Sequence, residues 1–240
     1  MNFERLLRHF GLFQNAVASP VLYENVIAMN FTELVNQMSE RLRGDLPGPR
    51  AHELLRAQPI GRLLPKFEHK TPPKQGSVLI LLYHHNGVIK FPLIKRPTYI
   101  GAHSGQISLP GGKVEPEENI FQAAIREGEE EIGVNRNDMQ IIGRLSEFNV
   151  LPSNFIVTPV VAWIDYTPTY VPDHREVEKV IEADLQALVR DDAVQEKEIL
   201  AAGLYPMMAP HFLVEDEIVW GATAMMLNEL RLILRELIAR

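Results

Sequence analysis

The chain has 240 residues, 46% of them hydrophobic, a net charge of −7 and no cysteine. That length can bury a sizeable core as one domain with an appendage. The missing cysteines exclude disulfides and thiolate metal sites. The acidic balance argues against a broad nucleic-acid or membrane surface, and no apolar run reaches the roughly 20 residues that span a bilayer. Without a basic segment followed by an apolar one at the start of the chain, no signal peptide is read, and a cytoplasmic location is the expectation.

Taken in order, residues 1–28 form an N-terminal extension of uncertain role, and 29–240 form the main domain. A second Met-Asn-Phe opens at Met29, and MNFTELVNQMSERL reads as a helix with Thr32 as its cap. The Pro-rich stretch 46–73 reads as a short helix between irregular segments. SVLILLY (77–83) is a continuous apolar run of strand length, and HHNG (84–87) returns it into a second strand at 88–95. Pro92 marks that strand as an edge or a bulge. Residues 106–109 are a short extended piece.

Strands are expected at 140–145, 155–164 (with an irregularity at Pro159) and 177–181. Asp184 is a cap for the LQALVR helix, 212–214 and 217–219 form a last hairpin, and 222–238 closes the chain as an apolar-striped helix. Strands and helices interleave, so the class is α/β, with a mixed sheet between helices.

The densest chemistry lies at 112–134, GKVEPEENIFQAAIREGEEEIGV. With 119–132 as helix at 100° per residue and Glu127 at zero, Glu131 falls at about 40° and Glu130 at about −60°. The three carboxylates share a face. Phe121, Ala124, Ile125, Gly128 and Ile132 form an apolar stripe fit to pack on a sheet. Gly128 lies in that stripe, where its helix-propensity cost of about 1 kcal/mol is offset by close approach to the sheet. Like charges one turn apart repel, and hard cations such as Mg²⁺ or Mn²⁺ take oxygen ligands and remove that repulsion. Arg126, one turn from Glu130, can orient its carboxylate through a fork-shaped pair. At Gly111-Gly112 a backbone carbonyl can approach a metal without interference from a Cβ.

Gly112, Glu118, Arg126, Glu127, Glu130, Glu131, Gly133 and Val134 fit G-x5-E-x7-R-E-U-x-E-E-x-G-U, where U is bulky and apolar, and Gly128 departs from it. The segment closely resembles the signature of the Nudix hydrolases. The resemblance implies a Nudix-type α/β/α sandwich, with metal held by Gly111, Glu127, Glu130 and Glu131, catalysis by Glu130, Glu127 and Arg126, and Glu118 as a structural partner. The general base is left open between Glu130 and a glutamate outside the box, Glu176 or Glu178.

Upstream, LIKRPTYIGAHSGQISLPGG (93–112) resembles the additional motif of coenzyme A pyrophosphatases through Lys95, Arg96, His103, Gly105, Gln106, Pro110, Gly111 and Gly112, while Pro97, Gly101 and Leu109 depart. This second resemblance implies substrate binding by Lys95, Arg96, His103 and Gln106. It implies hydrolysis of coenzyme A or acyl-CoA to (acyl-)4′-phosphopantetheine and adenosine 3′,5′-bisphosphate, with Mg²⁺ or Mn²⁺ as cofactor. The partner is then a small-molecule nucleotide, and a homodimer is compatible with the fold. The competing expectations are another nucleoside diphosphate derivative (ADP-ribose, NADH or a dinucleoside polyphosphate) and a non-catalytic nucleotide sensor.

Overall fold

The computed structural model describes residues 30–61, 67–98 and 104–239. The extension 1–28 and His103 lie outside the described residues. In chain order the elements are α1 (Phe31–Arg41), α2 (Pro49–Leu54), β1 (Gln58–Pro59), β2 (Lys74–His85), β3 (Val88–Lys95), β4 (Ile107–Ser108), β5 (Gly111–Lys113) and α3 (Ile120–Ile132). They continue as β6 (Gln140–Arg144), β7 (Phe148–Val150), β8 (Phe155–Trp163), β9 (Lys179–Asp184), α4 (Leu185–Val189), β10 (Val194–Ala201), β11 (Tyr205–Val214), β12 (Glu217–Trp220) and α5 (Gly221–Ile238).

The larger sheet runs β4-β3-β2-β8-β6, with β5 also on β2, β7 on β8 and β9 on β3. The β2–β8 pair is parallel and its neighbours are antiparallel, so the sheet is mixed, as expected. β2 explains the layering. Its apolar run is continuous because both its faces are covered. Leu79, Leu81 and Tyr83 pack with Ala124 and Ile132 of α3, whereas Ile80 and Leu82 join the core that α1 and α5 build with Leu34, Met38, Leu227 and Leu230. Each such fully buried aliphatic side chain contributes about 1.5–3 kcal/mol. The result is a helix on one face of the sheet and several on the other.

Local chemistry sets the connections. Asn86 and Gly87 both have positive φ (50° and 82°), as a two-residue type I′ hairpin between β2 and β3 requires. The two prolines fall where no ladder donor is needed. β3 pairs with β2 only as far as Lys90, so Pro92 has β9 alone as partner. Pro159 lies between the β7 and β6 pairings of β8, and its carbonyl accepts from the Leu145 N–H at 2.8 Å.

Two expectations about helix caps are corrected. Asn30, not Thr32, caps α1, because its side chain accepts from the Thr32 N–H at 2.9 Å. Asp184 occupies the cap position of α4 but makes no side-chain cap bond. The last hairpin forms as expected, in a second, four-stranded sheet, β1-β11-β10 with β12 on β11. Its strand β10 went unread because Glu196, Lys197, Glu198 and Leu200 are all exposed, which erases the apolar alternation.

Candidate active site

The helix α3 starts on a capping box. The Asn119 side chain accepts from the Phe121 and Gln122 N–H groups, and Gln122 accepts from the Asn119 N–H in return. It stops at Gly133, whose φ of 73° gives the left-handed C-cap. Between these ends the helix lies unusually close to β2. A Cβ on Gly128 would stand 2.5 Å from Leu79 Cδ2, so the departure at this position is a packing solution, as expected.

The loop before α3 is held just as tightly. Gly111 has φ 151°, and a Cβ there would lie 2.3 Å from the Ser77 carbonyl oxygen. A Cβ on Gly112 would lie 2.4 Å from Glu127 Oε1. Both glycines are therefore required by close approach: the first to β2, the second to the glutamate helix.

Arg126 organises the exposed half of the carboxylate face. Its fork closes on Glu118, with Nη2 donating to Oε1 at 2.8 Å and Nε to Oε2 at 3.1 Å. Nη1 donates to Glu127 at 3.0 Å and to Glu130 at 2.8 Å, and Nη2 also reaches the Lys113 carbonyl. The fork expected for Glu130 thus goes to Glu118, and Glu130 receives a single bond. With every donor directed at the protein, Arg126 is a positioning residue. Glu118 first, then Glu127 and Glu130, hold its guanidinium firmly protonated.

Glu131 is different. On the wheel it borders the apolar stripe, and in the fold it is only 2% exposed. Its Oε2 accepts from the Gly111 N–H at 2.7 Å. Burial pushes its carboxyl up to about 8, against the pull of Arg96 and of that N–H, and the charges of Glu127 and Glu176 push the same way. Burial also raises Glu127, with Arg126 opposing. Two neighbouring carboxyls are thus held in a medium that resists their ionisation.

Among the described residues no group of three His, Cys, Asp or Glu side chains stands gathered for an ion. Arg126 draws Glu127 and Glu130 toward itself, while Glu131 turns to Gly111. The donor set nevertheless fits a hard divalent cation. It is all oxygen, its most buried member has a single hydrogen-bond donor, and the missing side chain of Gly112 lets the Glu127 carboxylate come up against the loop that carries the Gly111 carbonyl.

The upstream residues are divided rather than gathered. Arg96 Nε donates to Ser108 Oγ at 3.2 Å, and its charge acts on Glu131. Its N–H donates to the Gln106 carbonyl, which fixes Gln106 beside it. Lys95, one residue earlier, points to the opposite face, as strand alternation demands. There its Nζ meets Glu217 Oε1 at 2.8 Å and Glu178 Oε1 at 3.6 Å. Sequence reasoning missed Glu217, 122 positions from Lys95 and without a local signal, and it missed Ser108 as the partner of Arg96.

Residues 73–209 match the NUDIX domain family. The chain is 32% identical over 167 residues to Nudix hydrolase 22, chloroplastic, of Arabidopsis thaliana, covering 65% of this chain and 53% of that protein. It is 30% identical over 177 residues to Nudix hydrolase 15, mitochondrial, of the same plant, covering 67% and 59%. The chain therefore spans between half and three fifths of the length of these two relatives. Against the Nudix hydrolase NudL of Yersinia enterocolitica the identity is 26%, over 71% of this chain and 92% of that one. A MutT/nudix family protein from Enterococcus faecalis superposes with a TM-score of 0.42 at 17% identity, over 86% of this chain and 73% of that one. With more than half its length matched to the family and the glutamate helix, its flanking glycines and its arginine in place, the chain belongs to the Nudix domain family.

Proposed function

We propose that this chain hydrolyses a diphosphate bond in a nucleotide derivative, with coenzyme A or an acyl-CoA as the substrate. The observation that carries the reading is Glu131, a carboxyl buried beside Glu127 on a helix whose third carboxylate, Glu130, shares the same arginine. Glu127, Glu130, Glu131 and the Gly111 carbonyl would hold Mg²⁺ or Mn²⁺. When bound, the metal supplies charge neutralisation for the diphosphate and a more acidic water. The chain's own residues do the rest. Arg126 and Glu118 keep Glu127 and Glu130 in place, Gly112 leaves room for the Glu127 carboxylate, and Arg96, steadied by Ser108, sets a positive charge beside Glu131.

Support for coenzyme A comes from the 93–112 motif and from Arg96, whose N–H holds the Gln106 carbonyl and whose charge acts on Glu131. Lys95 supports it less, because two carboxylates already engage it on the other face. The test is phosphate-product release from a panel of coenzyme A, acyl-CoA, ADP-ribose, NADH and diadenosine polyphosphates, with and without Mg²⁺ or Mn²⁺. Coenzyme A or acyl-CoA is expected to give the highest kcat/KM, with release abolished by EDTA. Preference for another panel member overturns the substrate, and no release from any overturns the activity. Among the described residues no helix is long and apolar enough to cross a membrane.

A further inference from the structure

The carboxylates of the helix are all committed, and a hydrolytic site also needs a group to take the proton of the attacking water. Glu127 and Glu130 accept from Arg126, and Glu131 accepts from Gly111. Outside the helix, Glu178 lies 3.6 Å from the Lys95 ammonium on the opposite face of β3. The remaining candidate is in the turn that precedes β9.

That turn is pinned to the site at both ends. The Val171 N–H donates to the Ile132 carbonyl at 3.0 Å, and the Asp173 N–H to the carbonyl of Glu131 itself at 3.1 Å. At the far end the Glu178 N–H donates to the Lys95 carbonyl at 2.8 Å, next to Arg96. Within the turn the Glu176 and Val177 N–H groups both donate to the Asp173 carbonyl, and Val177 is fully buried against the core beneath α3. The segment therefore bridges the C-terminal end of the glutamate helix and the strand end that carries Arg96. Glu176 is exposed in it, no described residue hydrogen-bonds its carboxylate, and its charge acts on both Glu127 and Glu131. It is near enough to sense the site, fixed by backbone bonds, and open to water.

We infer that Glu176 is the general base of this site. One O–H bond of the attacking water breaks and its proton passes to the Glu176 carboxylate. The water oxygen forms the new bond to phosphorus as the bridging P–O bond breaks, and that electron pair leaves with the departing phosphate. Exposure then lets Glu176 return the proton to solvent. This assignment rests on the diphosphate-hydrolysis reading above.

The test uses the full chain and the panel substrate that the wild type turns over best. Glu176→Gln is expected to lower kcat by about 10²–10⁴-fold, the usual contribution of a positioned base, with KM within about threefold. Added formate is expected to restore part of the turnover of Glu176→Ala, which a purely structural role would not allow. Mn²⁺ affinity, followed by its electron paramagnetic resonance signal, is expected to be unchanged in Glu176→Gln and weakened in Glu131→Gln. Arg175→Ala, on the same turn, controls for loop damage and should keep its kcat. If Glu176→Gln turns over normally while Glu131→Gln is inactive, the base assignment falls and the hydrolase reading stands. Loss of Mn²⁺ affinity in Glu176→Gln as large as in Glu131→Gln overturns it in favour of a ligand role. A wild type inactive on the whole panel overturns both readings together.

Discussion

Two buried glutamates, one on each side of the same sheet, show how this fold separates scaffold from chemistry. Glu229 on α5 is fully buried, and four donors surround it: the Gly48 N–H at 3.0 Å, His52 Nε2 at 2.9 Å, and the N–H and Oγ of Ser146, the latter at 2.7 Å. Burial pushes its carboxyl up, but His52, Ser146 and Gly48 together outweigh that, and the net shift is downward. Glu131 on α3 is buried almost as fully with one donor, and its carboxyl rises to about 8. A satisfied buried carboxylate ties α2, the β6–β7 connection and α5 together. An under-satisfied one retains a demand for positive charge.

The sharpest way to break this contrast is by turnover. Glu131→Gln keeps the shape and removes the charge. Its kcat should fall by more than the roughly 10²-fold that even outer-shell changes at metal sites cost, and Glu127→Gln should behave alike. Glu229→Gln, measured per folded molecule, should keep wild-type kcat. If Glu131→Gln remains active, the two glutamates are not different in kind.

The second way is pH. Metal-free, Glu131 holds its proton up to about pH 8 when folded and loses it near the ordinary 4.5 when unfolded. Between those values the folded chain binds more protons, so stability falls as pH rises. Urea midpoints in EDTA should show a loss on the order of 3 kcal/mol between pH 5 and pH 8. Glu131→Gln should flatten that slope, and saturating Mn²⁺ should oppose it in the wild type. A slope identical in wild type and Glu131→Gln would sink the account.

How far the sequence foretells this contrast depends on how local the cause is. The glutamate helix, its glycines and the apolar stripe are written in one short stretch, because i, i+3 and i+4 spacing reports a face directly. That Glu131 is buried was one step further. Its wheel position beside the stripe hints at it, but only the approach of Gly111 and β5 closes the space. Glu229 was read only as part of an apolar-striped helix. Its partners Gly48, His52 and Ser146 lie far away in the chain, and no periodicity encodes them. The same distance hid the Lys95–Glu217 pair, and the lack of any buried residue hid β10.

The contrast also predicts where stability is kept. Glu229→Gln turns an amide N–H₂ toward buried donors and leaves at least one of them unpaired. Breaking a buried, hydrogen-bonded pair in this way costs about 2–3 kcal/mol. Glu131→Gln in EDTA should instead stabilise the fold at pH 8, because it removes a carboxyl that resists ionisation. Opposite signs in paired denaturation curves at that pH would sharpen the distinction, and equal losses would erase it.

The smallest expected effect tests the surface on which α3 rests. Gly128→Ala gains about 1 kcal/mol of helix propensity. The new methyl would meet Leu79 Cδ2 at 2.5 Å in a fully buried layer, and overpacking of that kind costs about 1–3 kcal/mol. The overpacking outweighs the gain, and a net loss of about 1 kcal/mol, read from the urea transition, is expected. Activity should be the more sensitive reading, since Leu79 relaxes by letting the helix rise from β2, and Glu127 and Glu131 rise with it, away from Gly112 and Gly111. A Gly128→Ala chain as active as wild type would show that Leu79 alone moves, and that the carboxylates keep their place without the close contact.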